Sequence, residues 1–173
     1  MDGLDLKIFQ EELLLDYKLW PIYSKDGVLQ KTFCNLGARQ VAQFLGCKEF
    51  DDMNLTADLM FDVMTKNVSK KWAPSTGANA QNYAYKGGLA FAAMTSYRMK
   101  EVHGHIASVT QDPLEGSGSL GHAVPFVCNI ARGDPTEDLQ PRNDGTATRP
   151  NYICKSSQAF PVAFGEANYF IWL

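Results

Sequence analysis

The chain has 173 residues, 45% of them hydrophobic, enough apolar material for one core that removes roughly 68–70% of the unfolded surface from water, so a single domain over residues 1–173 is expected. A formal charge of -3 at pH 7 supplies no basic stripe for nucleic-acid phosphates or anionic lipid, and neither nucleic acid nor membrane is an expected partner. No apolar run approaches the roughly 18 residues of a spanning helix, and the start, MDGLDLKIFQEELLLD, is acidic where a secretory signal is basic. With no signal peptide seen, cytoplasmic synthesis is expected.

In residues 4–15, Leu4, Ile8, Leu13 and Leu14 at mixed helical spacings predict a short helix over the core. The segment WPIYSKDG, residues 20–27, carries a proline, two aromatics and an Asp-Gly turn signal, and reads as a loop leading to Cys34. From there Ala38, Val41, Phe44 and Leu45 repeat at three and four, with Gly46 as the closing cap. Asn54 and Thr56 are cap candidates for a second helix whose buried stripe is Met60, Phe61, Val63, Met64 and Val68. A third short helix covers Gly77 to Tyr85 and stops at Gly87-Gly88.

After that double glycine the pattern changes to short apolar runs between turn residues: LAFAAMTSYRM, GHIASVTQ, AVPFVCNIAR, AFPVAFG and NYFIWL, read as strands of one sheet. Helices first and strands afterwards predict an α+β fold, N-terminal helices packed on a C-terminal antiparallel β-sheet. Residues 132–150, poor in apolar side chains and rich in Pro, Gly, Asp and Thr, read as an exposed loop.

The four cysteines, Cys34, Cys47, Cys128 and Cys154, are scattered, with no CxxC pair, so neither structural zinc nor a disulfide framework is expected, although an even count permits two bridges outside the cell. A thiol becomes a nucleophile at neutral pH when a helix N-terminus or a nearby imidazolium favours its thiolate, and Cys34 stands where a helix starts. The alternative is a small apolar core residue. In EVHGHIASV, His105 shares a strand face with Ala107 and Val109, and Gly104 leaves room for close backbone approach; its alternative is a satisfied strand-end histidine. Asn129, polar among apolar neighbours in the next strand, can accept a hydrogen bond from an imidazole nitrogen, or satisfy backbone groups instead. On that reading Cys128 faces the other way and belongs to the core.

Thr32-Phe33-Cys34-Asn35 with its helix, Gly104-His105-Ile106-Ala107-Ser108-Val109 and the polar residue on the following strand resemble the papain-like peptidoglycan hydrolases of the CHAP and NlpC kinds, over roughly residues 20 to 173. The resemblance implies a papain-like architecture with Cys34 as nucleophile, His105 as base and Asn129 as the orienting residue. It implies cleavage of peptide or amide bonds in bacterial cell-wall peptides, with peptidoglycan or a peptide as substrate and no cofactor or metal. It further implies delivery to the wall by lysis or secretion, and an inhibitor or immunity protein as a second kind of partner. Asn35 and Leu36 stand where many CHAP members have an aromatic.

Tyr23 can donate a hydrogen bond to an oxyanion or simply pack in its loop. Three rival readings remain open: a binding module without turnover, metal binding through His103 and His105 with Glu101 or a cysteine, and acyl transfer to an amine or alcohol. Trp20, Tyr23, Trp72, Tyr83 and Tyr85 are candidates for a groove, Trp72 being favoured as packing.

Overall fold

The computed structural model describes residues 3–18, 33–130 and 152–173. Three helices come first, α1 (Gly3–Lys18), α2 (Cys34–Phe44) and α3 (Ala57–Lys66). In α1 the buried side chains are Leu6, Gln10, Leu13 and Leu14, which fall on one helical face. Ile8, expected in that stripe, lies about half a turn from Leu6 and is 44% exposed. Gly46, at φ +80°, closes α2 as predicted: its N–H donates to the Gln43 carbonyl and that of Cys47 to the Ala42 carbonyl. Thr56 caps α3 by accepting from the Leu59 N–H, and Asn67 ends it in the left-handed region. Met60 and Met64 are buried as expected, whereas Val68, beyond the Asn67 cap, is 88% exposed.

The remaining elements in chain order are β1 (Trp72–Ser75), α4 (Gly77–Tyr85), β2 (Ala90–Met94), α5 (Ser96–Met99), β3 (His105–Val109), β4 (Glu115–Ser117), β5 (His122–Val124), β6 (Phe126–Asn129), β7 (Tyr152–Lys155), α6 (Ser156–Ala159) and β8 (Asn168–Trp172). Six strands form one antiparallel sheet in the order β1-β8-β2-β3-β6-β7, while β4 and β5 pair separately. The fold is therefore α+β, as the sequence predicts.

Its strand boundaries depart from the sequence reading where proline and caps intervene. β1 lies ahead of α4, so the first half is not purely helical; Pro74 in its middle hides it, and such a proline is tolerated because β1 is an edge strand. Pro125 splits the run AVPFVCNIAR into β5 and β6. LAFAAMTSYRM ends its strand at Met94, because Thr95 caps α5 by accepting from the Arg98 N–H. AFPVAFG is no strand: it holds the end of α6 and a 3-10 turn over Val162–Phe164, around Pro161 and before Gly165 at φ +84°. The expected loop at 132–150 lies outside the described residues.

The sheet buries both faces. Phe91, Ala93, Ile106, Cys128 and Phe170 pack with residues of α1, α2 and α3 on one face. Ala92, Met94, Ala107, Val109, Val127 and Tyr169 pack with Ala80, Ala84, Met99, Ala159 and Phe160 on the other. The Glu49 carboxylate accepts from the indole N–H of Trp72 at 3.1 Å and of Trp172 at 3.0 Å, fastening the α2–α3 connection to the paired strands β1 and β8. Trp72, 1% exposed, is thus packing, as favoured. Among the described residues no helix is long and apolar enough to cross a membrane.

Candidate active site

Cys34 is the first residue of α2, where the helix leaves its leading amides without intrahelical acceptors and the macrodipole favours negative charge. The helix stays at this height over the sheet partly because Gly37 has no side chain: a Cβ there would stand 2.4 Å from Ile130 Cδ1. Residue 37 must therefore be small for α2 to approach the strands. Asn35 fixes the same turn from the other side, its Nδ2 donating to the Leu55 carbonyl at 2.8 Å, just ahead of α3.

His105 is the first residue of β3 and is paired with Met94 of β2. Its Nε2 stands 2.6 Å from Asn129 Oδ1, and both residues are completely buried. An amide oxygen only accepts, so Nε2 carries the proton and Nδ1 is the basic nitrogen of the ring. The imidazole also lies against Phe160, ring centroids 5.0 Å apart. As the sequence alternation predicts, Ser108 pairs with Cys128, which puts Asn129 and Cys128 on opposite faces; the Cys128 thiol points to the Gln10 carbonyl at 3.6 Å.

The sulfur of Cys34 lies 4.0 Å from the Gly104 carbonyl oxygen, one residue before His105. Thus α2 delivers its first residue to the end of β3 at which the buried His105–Asn129 pair stands. Cys34 packs with the α1–α3 side of the sheet, and His105 alternates with Ile106 onto the Ala107 side, so the terminal peptide of β3 separates the two layers. Gly104 makes that approach: a Cβ there would stand 2.5 Å from Asp58 Oδ1. The same Asp58 oxygen accepts from the Ser96 N–H at 2.8 Å and so ties α3 to the β2–β3 connection. The start of α3 therefore braces the Cys34 turn through Leu55 and the His105 turn through Asp58. Sequence reading missed this brace, because Asn35 and Asp58 read as ordinary helix-end residues until the chain is folded.

The other thiols lie elsewhere. All four cysteines are buried, and Cys47, Cys128 and Cys154 are free thiols. Burial pushes Cys47 up to about 11 and Cys154 up to about 12, and it raises Cys128 further, so all three favour the neutral thiol. Cys128 and Cys154 sit on adjacent strands, with Val127 opposite Cys154 and Cys128 opposite Ile153, so their side chains lie on opposite faces and the permitted bridge is absent. His103 is exposed while His105 is buried. No group of three or more His, Cys, Asp or Glu among the described residues could hold a metal ion. Tyr23 and Trp20 lie outside the described residues.

The chain matches no known protein-family model, and no curated protein is significantly similar to it.

Proposed function

We propose that this chain is a cysteine hydrolase that cleaves peptide or amide bonds through an acyl-enzyme on Cys34, with bacterial cell-wall peptidoglycan as the substrate class. The observation that carries the reading is the buried 2.6 Å bond between His105 Nε2 and Asn129 Oδ1, beside the strand end that Cys34 approaches at 4.0 Å. A buried imidazole held in one tautomer by an amide oxygen is the arrangement a thiol nucleophile requires of its base. The peptidoglycan assignment rests on the resemblance of the motifs around Cys34 and His105 alone.

The proposed sequence requires the His105 ring to reach past the terminal peptide of β3, where the Cys34 thiol gives its proton to Nδ1 and the thiolate attacks the substrate carbonyl carbon. The oxyanion so formed is stabilised by the leading amides of α2. Collapse breaks the C–N bond, the departing amine takes the proton from the imidazolium, and a thioester is left on Cys34. Water, deprotonated by His105, attacks that thioester; the carboxylic acid leaves and the thiol is restored.

One observation favours a second reading. Cys34 is 2% exposed and His105 and Asn129 are not exposed at all, so the same residues could serve as a satisfied polar core within a binding module that performs no turnover. Incubation of purified protein with peptidoglycan fragments separates the two: release of new amino termini that is abolished in a folded Cys34→Ala variant is expected. Equal release by that variant, or none by the parent protein, would refute the hydrolase reading.

A further inference from the structure

A cavity of about 490 Å³ lies between α3, the turn from β1 into α4 and the residues that lead into β8. Its volume falls in the range of roughly 300–1,000 Å³ usual for small-ligand sites. One wall is aromatic and rigid, Phe61 meeting Phe170 edge-to-face with ring centroids 5.4 Å apart. The other walls are mixed, polar at Thr65, Asn67, Ser75, Thr76 and Asn168 and apolar at Met64, Pro74 and Ala167. Among the described residues Glu166 is the single charged one in the lining, and no Lys, Arg or His shares it.

That carboxylate is held in place. Glu166 Oε2 lies 3.0 Å from His122 Nε2, and the Glu166 carbonyl accepts from Arg98 Nη2 at 2.7 Å. Arg98 also binds Asn168 Oδ1 at 2.8 Å through Nη1 and the Phe164 carbonyl at 3.0 Å through Nε, so one guanidinium sets the whole wall from 164 to 168. A carboxylate has about four acceptor positions, of which the His122 bond uses one and Tyr169 a second, leaving room for a further donor. A fixed anion beside an aromatic wall suits a primary ammonium group on an aliphatic stem, the stem lying on the rings and the charge meeting the carboxylate.

The cavity also stands at the His105 end of the sheet. Asn168 is opposite Ala93 in β2, and the next residue, Met94, is opposite His105 in β3, which separates Asn168 from His105 by two strand spacings, about 10 Å. We propose that this cavity binds an amine-bearing side chain or terminus of a peptide, with Glu166 as counter-ion and the Phe61–Phe170 wall as the platform for the stem. As a subsite for the substrate of Cys34 it rests on the hydrolase reading; the binding itself does not.

The test is an NMR titration of the full chain with Nα-acetyl-lysine methylamide and with the same compound acetylated on Nε. Amide shifts are expected at Thr65, Ser75 to Gly77 and Glu166 to Phe170, with affinity lower by roughly tenfold or more for the acetylated probe and for Glu166→Gln, and largely retained in Glu166→Asp. Equal affinity for the two probes, shifts centred elsewhere, or no shifts would overturn the proposal. Should Glu166→Gln fail to fold, the two probes on the parent protein decide alone. Amine binding by a protein whose Cys34 proves inert would leave this proposal standing and remove the hydrolase reading.

Discussion

Asn129→Ala tests the heart of the site. The substitution removes the acceptor 2.6 Å from His105 Nε2 in a position without solvent exposure, so the ring N–H is left buried without that bond. A buried donor stripped of its partner costs about 1–3 kcal/mol. With a urea slope of about 1–3 kcal/mol per molar, a loss near 2 kcal/mol lowers the unfolding midpoint by roughly 1 M. Tryptophan fluorescence in urea measures that shift, and an unchanged slope shows that the native and unfolded states remain comparable. The same variant no longer fixes the proton on Nε2, so the fraction of rings with a basic Nδ1 falls and Cys34 alkylation at pH 7 slows several-fold. An unchanged midpoint would refute the buried bond, and a lowered midpoint with unchanged Cys34 reactivity would refute its link to the thiol.

Two further outcomes follow from other parts of the fold. Glu49→Leu removes the acceptor of two indole N–H groups and leaves the buried Trp72 nitrogen without that partner, which is expected to cost about 2–4 kcal/mol in urea unfolding and to alter tryptophan emission; a change under about 0.5 kcal/mol would refute the clamp. Stability is expected to fall as pH rises from about 9 toward 11. The unfolded thiols ionise near their ordinary 9.0, whereas folded Cys47, raised to about 11, and Cys154, raised to about 12, keep their protons, so the native state binds more protons over this window. Urea midpoints of the parent and of a Cys47→Ala, Cys154→Ala double variant measured across it should converge at high pH, and parallel curves would contradict the assigned burial.

Much of this architecture is legible in the chain because local signals and tertiary demands agree. The apolar repeat after Cys34 ends at a glycine that must take positive φ, and GHIASV alternates cleanly between two buried faces, so α2 and β3 are readable to within a residue. Asn129 is readable because a polar residue inside an apolar strand needs a buried partner. β1 is hidden because its stability comes from pairing with β8, nearly a hundred positions later, and its sequence contains a proline that only an edge strand accepts. AFPVAFG is apolar enough to be a strand, yet Pro161 and Gly165 set its backbone against one. The brace through Asn35 and Asp58 depends on contacts 20 and 38 residues apart in sequence, and residue spacing along the chain carries no sign of it.

The rate of Cys34 alkylation by iodoacetamide against pH tests the central claim most directly, in the parent protein and in His105→Ala, with Cys47, Cys128 and Cys154 as internal references. A catalytic thiol labels faster than the other three, with a midpoint below the ordinary thiol value of 9.0, and loses that advantage in the variant. Labelling of Cys34 as slow as that of the three buried thiols, and indifferent to His105, would contradict the account.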